Sequence, residues 1–235
     1  MTQVQQRVSE NLARIRETVA ASAVRGGREA EAIQLVAVVK YAPLEAVEAL
    51  VAAGCLDLGE SRPQQLWQRA EHFADKPVRW HFIGHLQRNK VRRTLGHVHL
   101  LHAGDSPRLL EAVNEAAQSL DQPASVLIEV NISGDANKQG FAPEDVEPLL
   151  PRLAELQHLR VRGLMAMASL HGGRDRARAD FAALRKLRDG LRGNLPPGVE
   201  LDELSMGMSD DFDIAIEEGA TIVRVGSALL EGVEG

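Results

Sequence analysis

Lys40 ends the most hydrophobic short run of the chain, Leu35-Val36-Ala37-Val38-Val39. A lysine at the mouth of an apolar pocket is desolvated, which lowers its pKa and frees the amine as a nucleophile toward carbonyl groups. From that run alone, a surface lysine capping a strand is the simpler reading. Two later apolar runs end in Ser205-Met206-Gly207-Met208-Ser209 and in Gly226-Ser227. Small residues there let backbone N–H groups approach the oxygens of an anion, and serine hydroxyls add donors. Taken singly, Ser209 and Ser227 also read as ordinary helix N-caps. Arg224 lies two residues before Gly226, so the two positions share one side of a strand. A charge inside a strand is costly unless it is paired, and a ligand acceptor atom would serve.

These positions need a frame, and the chain supplies a regular one. Residues 1–24 are polar, with Val4, Val8, Leu12, Ile15 and Val19 along one helical face. Short apolar runs follow at 35–39, 56–59, 79–83, 97–101, 125–132, 161–167, 201–205 and 221–225. They read as buried strands. Amphipathic stretches alternate with them, opened by Pro43, Pro63, Gln87, Ser106-Pro107, Pro143 and Asp210, and carrying Phe181, Leu184, Leu187 and Leu191 before the seventh strand. A short terminal helix closes the pattern. Eight such alternations predict an α/β fold, a single (β/α)8 TIM-type barrel with an extra N-terminal helix. An open doubly wound sheet is the alternative, but no Gly-rich dinucleotide fingerprint follows the first strand. With no linker or repeat, residues 1–235 read as one domain. Residues 171–178 are polar and glycine-containing, and read as a mobile loop after the sixth strand. In such a barrel, function sits at the C-terminal ends of the strands, and loops seven and eight are the recurrent phosphate site.

A Schiff-base lysine, a phosphate cradle and an inward arginine together describe pyridoxal 5′-phosphate (PLP). Several segments are also specific as sequences: Gly59-Glu60-Ser61-Arg62, Trp80-His81-Phe82-Ile83-Gly84-His85-Leu86-Gln87-Arg88-Asn89-Lys90, Val130-Asn131-Ile132-Ser133 with Lys138, Gly163-Leu164-Met165-Ala166, and Leu204 through Asp211 with Val223 through Gly226. On these the chain resembles the pyridoxal-phosphate homeostasis proteins (the YggS/PROSC family) over nearly its whole length, a family similar in fold to the N-terminal barrel of alanine racemase. The resemblance implies that Lys40 is the covalent Schiff-base residue and that Arg224 faces the pyridine nitrogen. It implies that Ser205, Ser209, Gly226 and Ser227 hold the phosphate, that Met165 packs near the ring face, and that Lys138 lies at the pocket edge. The family usually reads Gly-Glu-Asn-Arg after strand two. Ser61 stands where that asparagine is expected, which puts a direct bond from position 61 to the cofactor in doubt; a water would substitute. Pro63 and Gln65 replace the usual Val and Glu on what should be a helix surface.

The remaining patterns exclude more than they suggest. Of 235 residues, 27 are basic and 33 acidic, a net charge of −6, which argues against nucleic acid as a partner. No run reaches 18 apolar residues, and the polar N-terminal stretch lacks the apolar core of a signal peptide. One cysteine, Cys55, fits a buried thiol in a reducing cytoplasm. His81 and His85, four apart, lack the following glutamate of a zinc protease. His97, His99 and His102 have no companion ligands, and Asp210, Asp211 and Asp213 suit the first turn of a helix. No metal site is expected. The functional expectation is a PLP-binding protein without efficient catalysis, serving storage, protection and delivery of PLP, with apoenzymes as transient partners. The alternative is a PLP-dependent amino-acid racemase or decarboxylase. Against it, an arginine at the pyridine nitrogen weakens the electron sink. The only tyrosine, Tyr41, neighbours Lys40 and cannot come from the separate domain that supplies the opposed acid/base in alanine racemase. A closed barrel leaves no sheet edge to pair, so a monomer is the default.

Overall fold

Continuous β-branched and apolar runs form short strands buried on both faces, and the proline- and serine-opened stretches between them form helices. The computed structural model describes residues 1–233; positions 234 and 235, the end of the expected domain, lie outside the described residues. The strands are β1 (Gln34–Val38), β2 (Asp57–Glu60), β3 (Arg79–Phe82), β4 (Val98–Gly104), β5 (Ala124–Glu129), β6 (Leu159–Met165), β7 (Val199–Ser205) and β8 (Ile222–Val225). The helices are α1 (Gln3–Arg25), α2 (Leu44–Ala52), α3 (Pro63–His72), α4 (Val91–Leu95), α5 (Pro107–Ala117), α6 (Pro143–Glu155), α7 (Gly173–Leu191) and α8 (Phe212–Glu217). The strands close into a parallel barrel in sequence order. β1 pairs with both β2 and β8, with Ala37 opposite Leu58 and Val36 opposite Arg224.

Alternation along the strands then sorts side chains. Ala37, Leu58 and Val225 face outward into the main core beneath the helices. Val36, Leu100, Ala103, Leu127, Met165 and Ile222 face inward as a separate small cluster filling the barrel.

The barrel matches the expected fold class, with one change in its ring of helices. After β8 the chain forms turns through residue 233 rather than a terminal helix. Its place is taken by α1, which packs against both α2 and α8. Asn11 Nδ2 on α1 donates to the Leu229 and Glu231 carbonyls at 3.1 and 2.9 Å, so the first helix is fastened to the chain after the last strand. The expected extra helix thus completes the ring.

The segment 171–178 also departs from expectation. From Gly173 onward it is α7, because its charges have partners. Arg174 meets Asp213 at 2.6 Å, Arg176 meets Asp180 one turn on at 2.8 Å, and Arg178 meets Glu217 and Glu218 at 2.5 and 3.0 Å.

Candidate functional site at the barrel mouth

β1 delivers its chain to the C-terminal mouth and stops at Val38; Val39 keeps one ladder bond, its N–H donating to the Gly59 carbonyl at 2.9 Å. Lys40 follows, half-buried, with Nζ 5.2 Å from the centre of the exposed Tyr41 ring. The turn that carries it is fastened from α3. Arg69 Nη1 donates to the Val39 carbonyl at 2.5 Å and Nη2 to the Ala42 carbonyl at 2.8 Å, bracketing Lys40. Arg69 Nη1 also meets Glu60 Oε2 at 2.7 Å. Glu60 is fully buried at the end of β2, and its other oxygen accepts the N–H groups of Ser61 and Arg62. Burial pushes the Glu60 carboxyl up and the Arg69 guanidinium down, so each charge depends on the other. Ser61 packs under Gly84, where a Cβ would come within 2.6 Å of the Ser61 carbonyl oxygen, so glycine is required there.

The loops after β7 and β8 meet beside Lys40. The N–H groups of Gly226 and Ala228 converge on Ser209 Oγ at 3.2 and 3.3 Å. Such convergent donors suit an anion oxygen. At Gly226 a Cβ would press on Val38, 3.2 Å away, so its backbone can lie close to β1. Asp211 accepts the Met208 N–H at 2.6 Å and shapes the loop entering α8. A cavity of about 440 Å³ is lined by Lys40, Ser61, Ser209, Arg224, Gly226 and Ser227, with Val38, Ile83 and Met167 among its apolar walls.

The structure therefore gathers six of the nine expected site residues, and it moves three. Ser205 is the last residue of β7 and is fully buried below the cavity, where its hydroxyl meets His102 Nδ1 at 2.8 Å and Arg224 Nη1 at 2.5 Å. It holds the arginine and lies outside the cavity lining and the Ser209–Gly226–Ala228 cluster. Met165 belongs to the inward cluster one strand pleat deeper, and Met167 takes the place at the cavity wall. Lys138 is outside the lining; its Nζ donates to the Ala168 and Met167 carbonyls at 2.7 and 3.4 Å, which fixes the loop after β6.

Arg224 is 5% exposed, and burial lowers its pKa to about 10 against the opposing charges of Glu129 and Asp211, so it stays cationic at neutral pH. Its Nη2 donates to the Ala166 carbonyl at 3.1 Å. Glu129 ends β5; desolvation, then the charge of Asp105, raise its carboxyl to about 7, against Arg224 and His85. Glu60, Arg69 and Glu129 were not singled out from the sequence. Glu60 lies inside a quoted motif, whereas nothing local marks Arg69 on its helix. Cys55 is buried, its thiol pushed up to about 11 by desolvation, as expected of an inert structural cysteine. Among the described residues no group of three metal-binding side chains converges, and no helix is long and apolar enough to cross a membrane. A second cavity of about 460 Å³ at the opposite end of the barrel, between His99, Asp121, Arg160 and Arg162, has neither a lysine nor a glycine–serine loop.

Fold and site together define a class: (β/α)8 barrels in which a lysine after the first strand shares one mouth with a glycine–serine loop of convergent backbone N–H groups after the last. The profile of the alanine racemase N-terminal domain family matches residues 5–232. The chain is 39% identical over 222 residues to the pyridoxal phosphate homeostasis protein of Pseudomonas aeruginosa, covering 94% of each, and 36% identical over 225 residues to that of Escherichia coli K12, covering 94% of this chain and 95% of the other. The chain belongs to the alanine racemase N-terminal domain family and, within it, to the pyridoxal phosphate homeostasis proteins. A solved structure of PipY from Synechococcus elongatus PCC7942 with PLP bound superposes with a TM-score of 0.83 at 34% identity, covering 94% of this chain and 99% of that one. Alanine racemase of Clostridium difficile 630 shares the fold alone, at 16% identity and a TM-score of 0.74, over 98% of this chain and 58% of the racemase.

Proposed function

We propose that the chain binds PLP at the barrel mouth, holds it without efficient catalysis, and releases it to PLP-dependent apoenzymes. The observation that carries this reading is that one cavity is lined by a primary amine (Lys40), a loop with two convergent backbone N–H groups (Gly226, Ala228) and a buried guanidinium (Arg224). The donor set fits the group: Ser209, Gly226 and Ser227 with the Ala228 N–H for the phosphate, Lys40 for the aldehyde. When bound, PLP supplies an aldehyde that condenses reversibly with a primary amine and a ring that can accept electrons. The PLP-bound PipY structure supports the ligand class. Lys40 presents the amine on a turn that Arg69 holds still. Ser61 contributes to the wall near Lys40.

Arg224 carries the argument for weak catalysis. A guanidinium has only donors, so a ring nitrogen facing it accepts a hydrogen bond and stays unprotonated. That leaves the ring a poor electron sink. Tyr41 is 71% exposed at the rim, too open to shield a reacting carbon from water. The alternative of a racemase or decarboxylase would call for a proton-transfer group within reach of the bound ring; Glu129, whose carboxyl is raised to about 7, lies outside the cavity lining. A turnover assay separates the two. Protein loaded with PLP and incubated with L- or D-alanine and other amino acids should show no racemisation, decarboxylation or transamination approaching the roughly 10 per second of a median enzyme. A rate of that order would overturn the carrier reading. The same reading places the chain in the cytoplasm as a monomer, on its one buried cysteine and its closed sheet.

A further inference from the structure

A chain of hydrogen bonds crosses the barrel interior below the cavity. Its far end is Asp57 on β2, which accepts from Gln34 Nε2 at 2.9 Å and from Arg79 Nε and Nη2 at 2.7 and 2.5 Å. His81 Nε2 lies 3.0 Å from the same carboxylate, and His81 Nδ1 lies 2.9 Å from His102 Nε2. His102 Nδ1 is 2.8 Å from Ser205 Oγ, which in turn takes Arg224 Nη1 at 2.5 Å. His81, His102 and Ser205 are fully buried, with no solvent to complete a missing bond.

Proton accounting leaves one arrangement that satisfies every atom. Asp57 is an acceptor only: desolvation opposes its charge, yet the hydrogen bonds from His81 and Arg79 and the charge of Arg79 hold its carboxyl well below the ordinary range. His81 must therefore carry its hydrogen on Nε2. If His81 is neutral, its Nδ1 accepts from His102 Nε2–H. His102 Nδ1 then accepts the Ser205 hydroxyl hydrogen, and Ser205 Oγ accepts from Arg224. If His81 were a cation, its Nδ1–H would force the His102 hydrogen onto Nδ1, aimed at Ser205 Oγ. The serine oxygen would then receive two donors, and its own hydrogen would lack an acceptor among the hydrogen bonds of the described residues. Burial first, then the charge of Arg224, holds His102 well below the ordinary imidazole value, in keeping with a neutral ring.

We infer that His81, His102 and Ser205 are positioning residues for Arg224, a one-way relay whose every donor points from the cavity toward Asp57. The dipoles of such a chain add, so each bond strengthens the next. Asp57 at one end makes Ser205 Oγ a better acceptor at the other, and Arg224 is held with one edge on Ser205 and the Ala166 carbonyl. The assignment of Arg224 to a ring nitrogen rests on the PLP reading; the relay itself does not.

Two measurements test it separately. In ligand-free protein near neutral pH, two-bond imidazole ¹H–¹⁵N spectra should show His81 and His102 both neutral with hydrogen on Nε2. A hydrogen on Nδ1 of either ring, alone or with Nε2, would overturn the relay. His102→Leu removes the acceptor for Ser205, whereas His102→Gln can still accept from Ser205 and donate to His81. With both variants folded by near-UV circular dichroism, His102→Leu should weaken PLP retention by at least about tenfold, the scale of one bond involving a charged group, and His102→Gln by much less. Unchanged retention in His102→Leu would overturn the positioning role. If His102→Leu fails to fold, Ser205→Ala, which removes the same link with little volume change, decides the question on the same scale. Correct tautomers in a wild type that does not retain PLP would leave the relay standing and sink the PLP reading instead.

Discussion

Lys40→Ala removes the one lysine that lines the cavity and leaves both apolar clusters intact. The variant should fold and lose covalent PLP. Borohydride reduction of loaded wild-type protein followed by peptide mapping should put the pyridoxyl mass on Lys40. Modification of Lys138 instead, with Lys40 free, would refute the assignment. Lys40, Arg224 and Gly226 were legible because each breaks the pattern around it, a charge or a missing side chain at the end of an apolar run. Depth was not legible. Ser205 and Met165 have the right parity but sit one pleat too low, and a strand's last residue cannot be fixed from composition alone. Glu129 has a pH signature of its own. Its carboxyl titrates near 7 in the fold against an ordinary 4.5, so between those values the native state keeps a proton that the unfolded chain has lost. Stability should fall as pH rises through that window, by up to about 3 kcal/mol. Denaturation curves of Glu129→Gln and wild type should therefore diverge in the variant's favour from pH 4.5 to 7 and run parallel above it. A pH-independent difference would contradict the buried carboxyl.

At the scale of elements, the α3–β2 pairing governs the turn at residues 39–42. Arg69→Met should cost about 3–5 kcal/mol, because it strands the buried Glu60 carboxylate. Amide hydrogen exchange should rise at residues 39–42, and Glu60→Gln added to Arg69→Met should recover part of the loss. Equal exchange in wild type and variant would mean that the turn holds without its clamp. The sequence made the barrel readable because each strand and helix carried its own period and punctuation. It could not show that α1 replaces a helix after β8, since that depends on contacts between residues more than 200 positions apart. Nor could it show that the segment is helical from residue 173 onward, because its ordering comes from acidic partners on α8.

For the whole molecule, delivery of PLP is what distinguishes a carrier from a sink. Loaded protein should reactivate a PLP-depleted apoenzyme, and Lys40→Ala should not. Pyridoxal, which lacks the phosphate, should bind roughly a hundredfold more weakly or worse, the combined scale of two bonds to a charged group. Equal retention of pyridoxal and PLP in equilibrium dialysis would remove the Ser209–Gly226 cradle from the account.

The fastening of α1 to the far end of the chain has a consequence for how the molecule is made. Asn11 and its partner Leu229 are 218 positions apart. At a synthesis rate of about 5–20 residues per second, α1 leaves the ribosome roughly 10–40 s before α8 and the turns after β8 that it must join. Through that interval its apolar stripe (Val8, Leu12, Ile15, Val19) lacks the α8 half of its native seat. The nascent chain therefore carries an open seam along its first helix until α8 and the turns after β8 arrive, and a chaperone that covers such a stripe would meet this protein from its earliest residues.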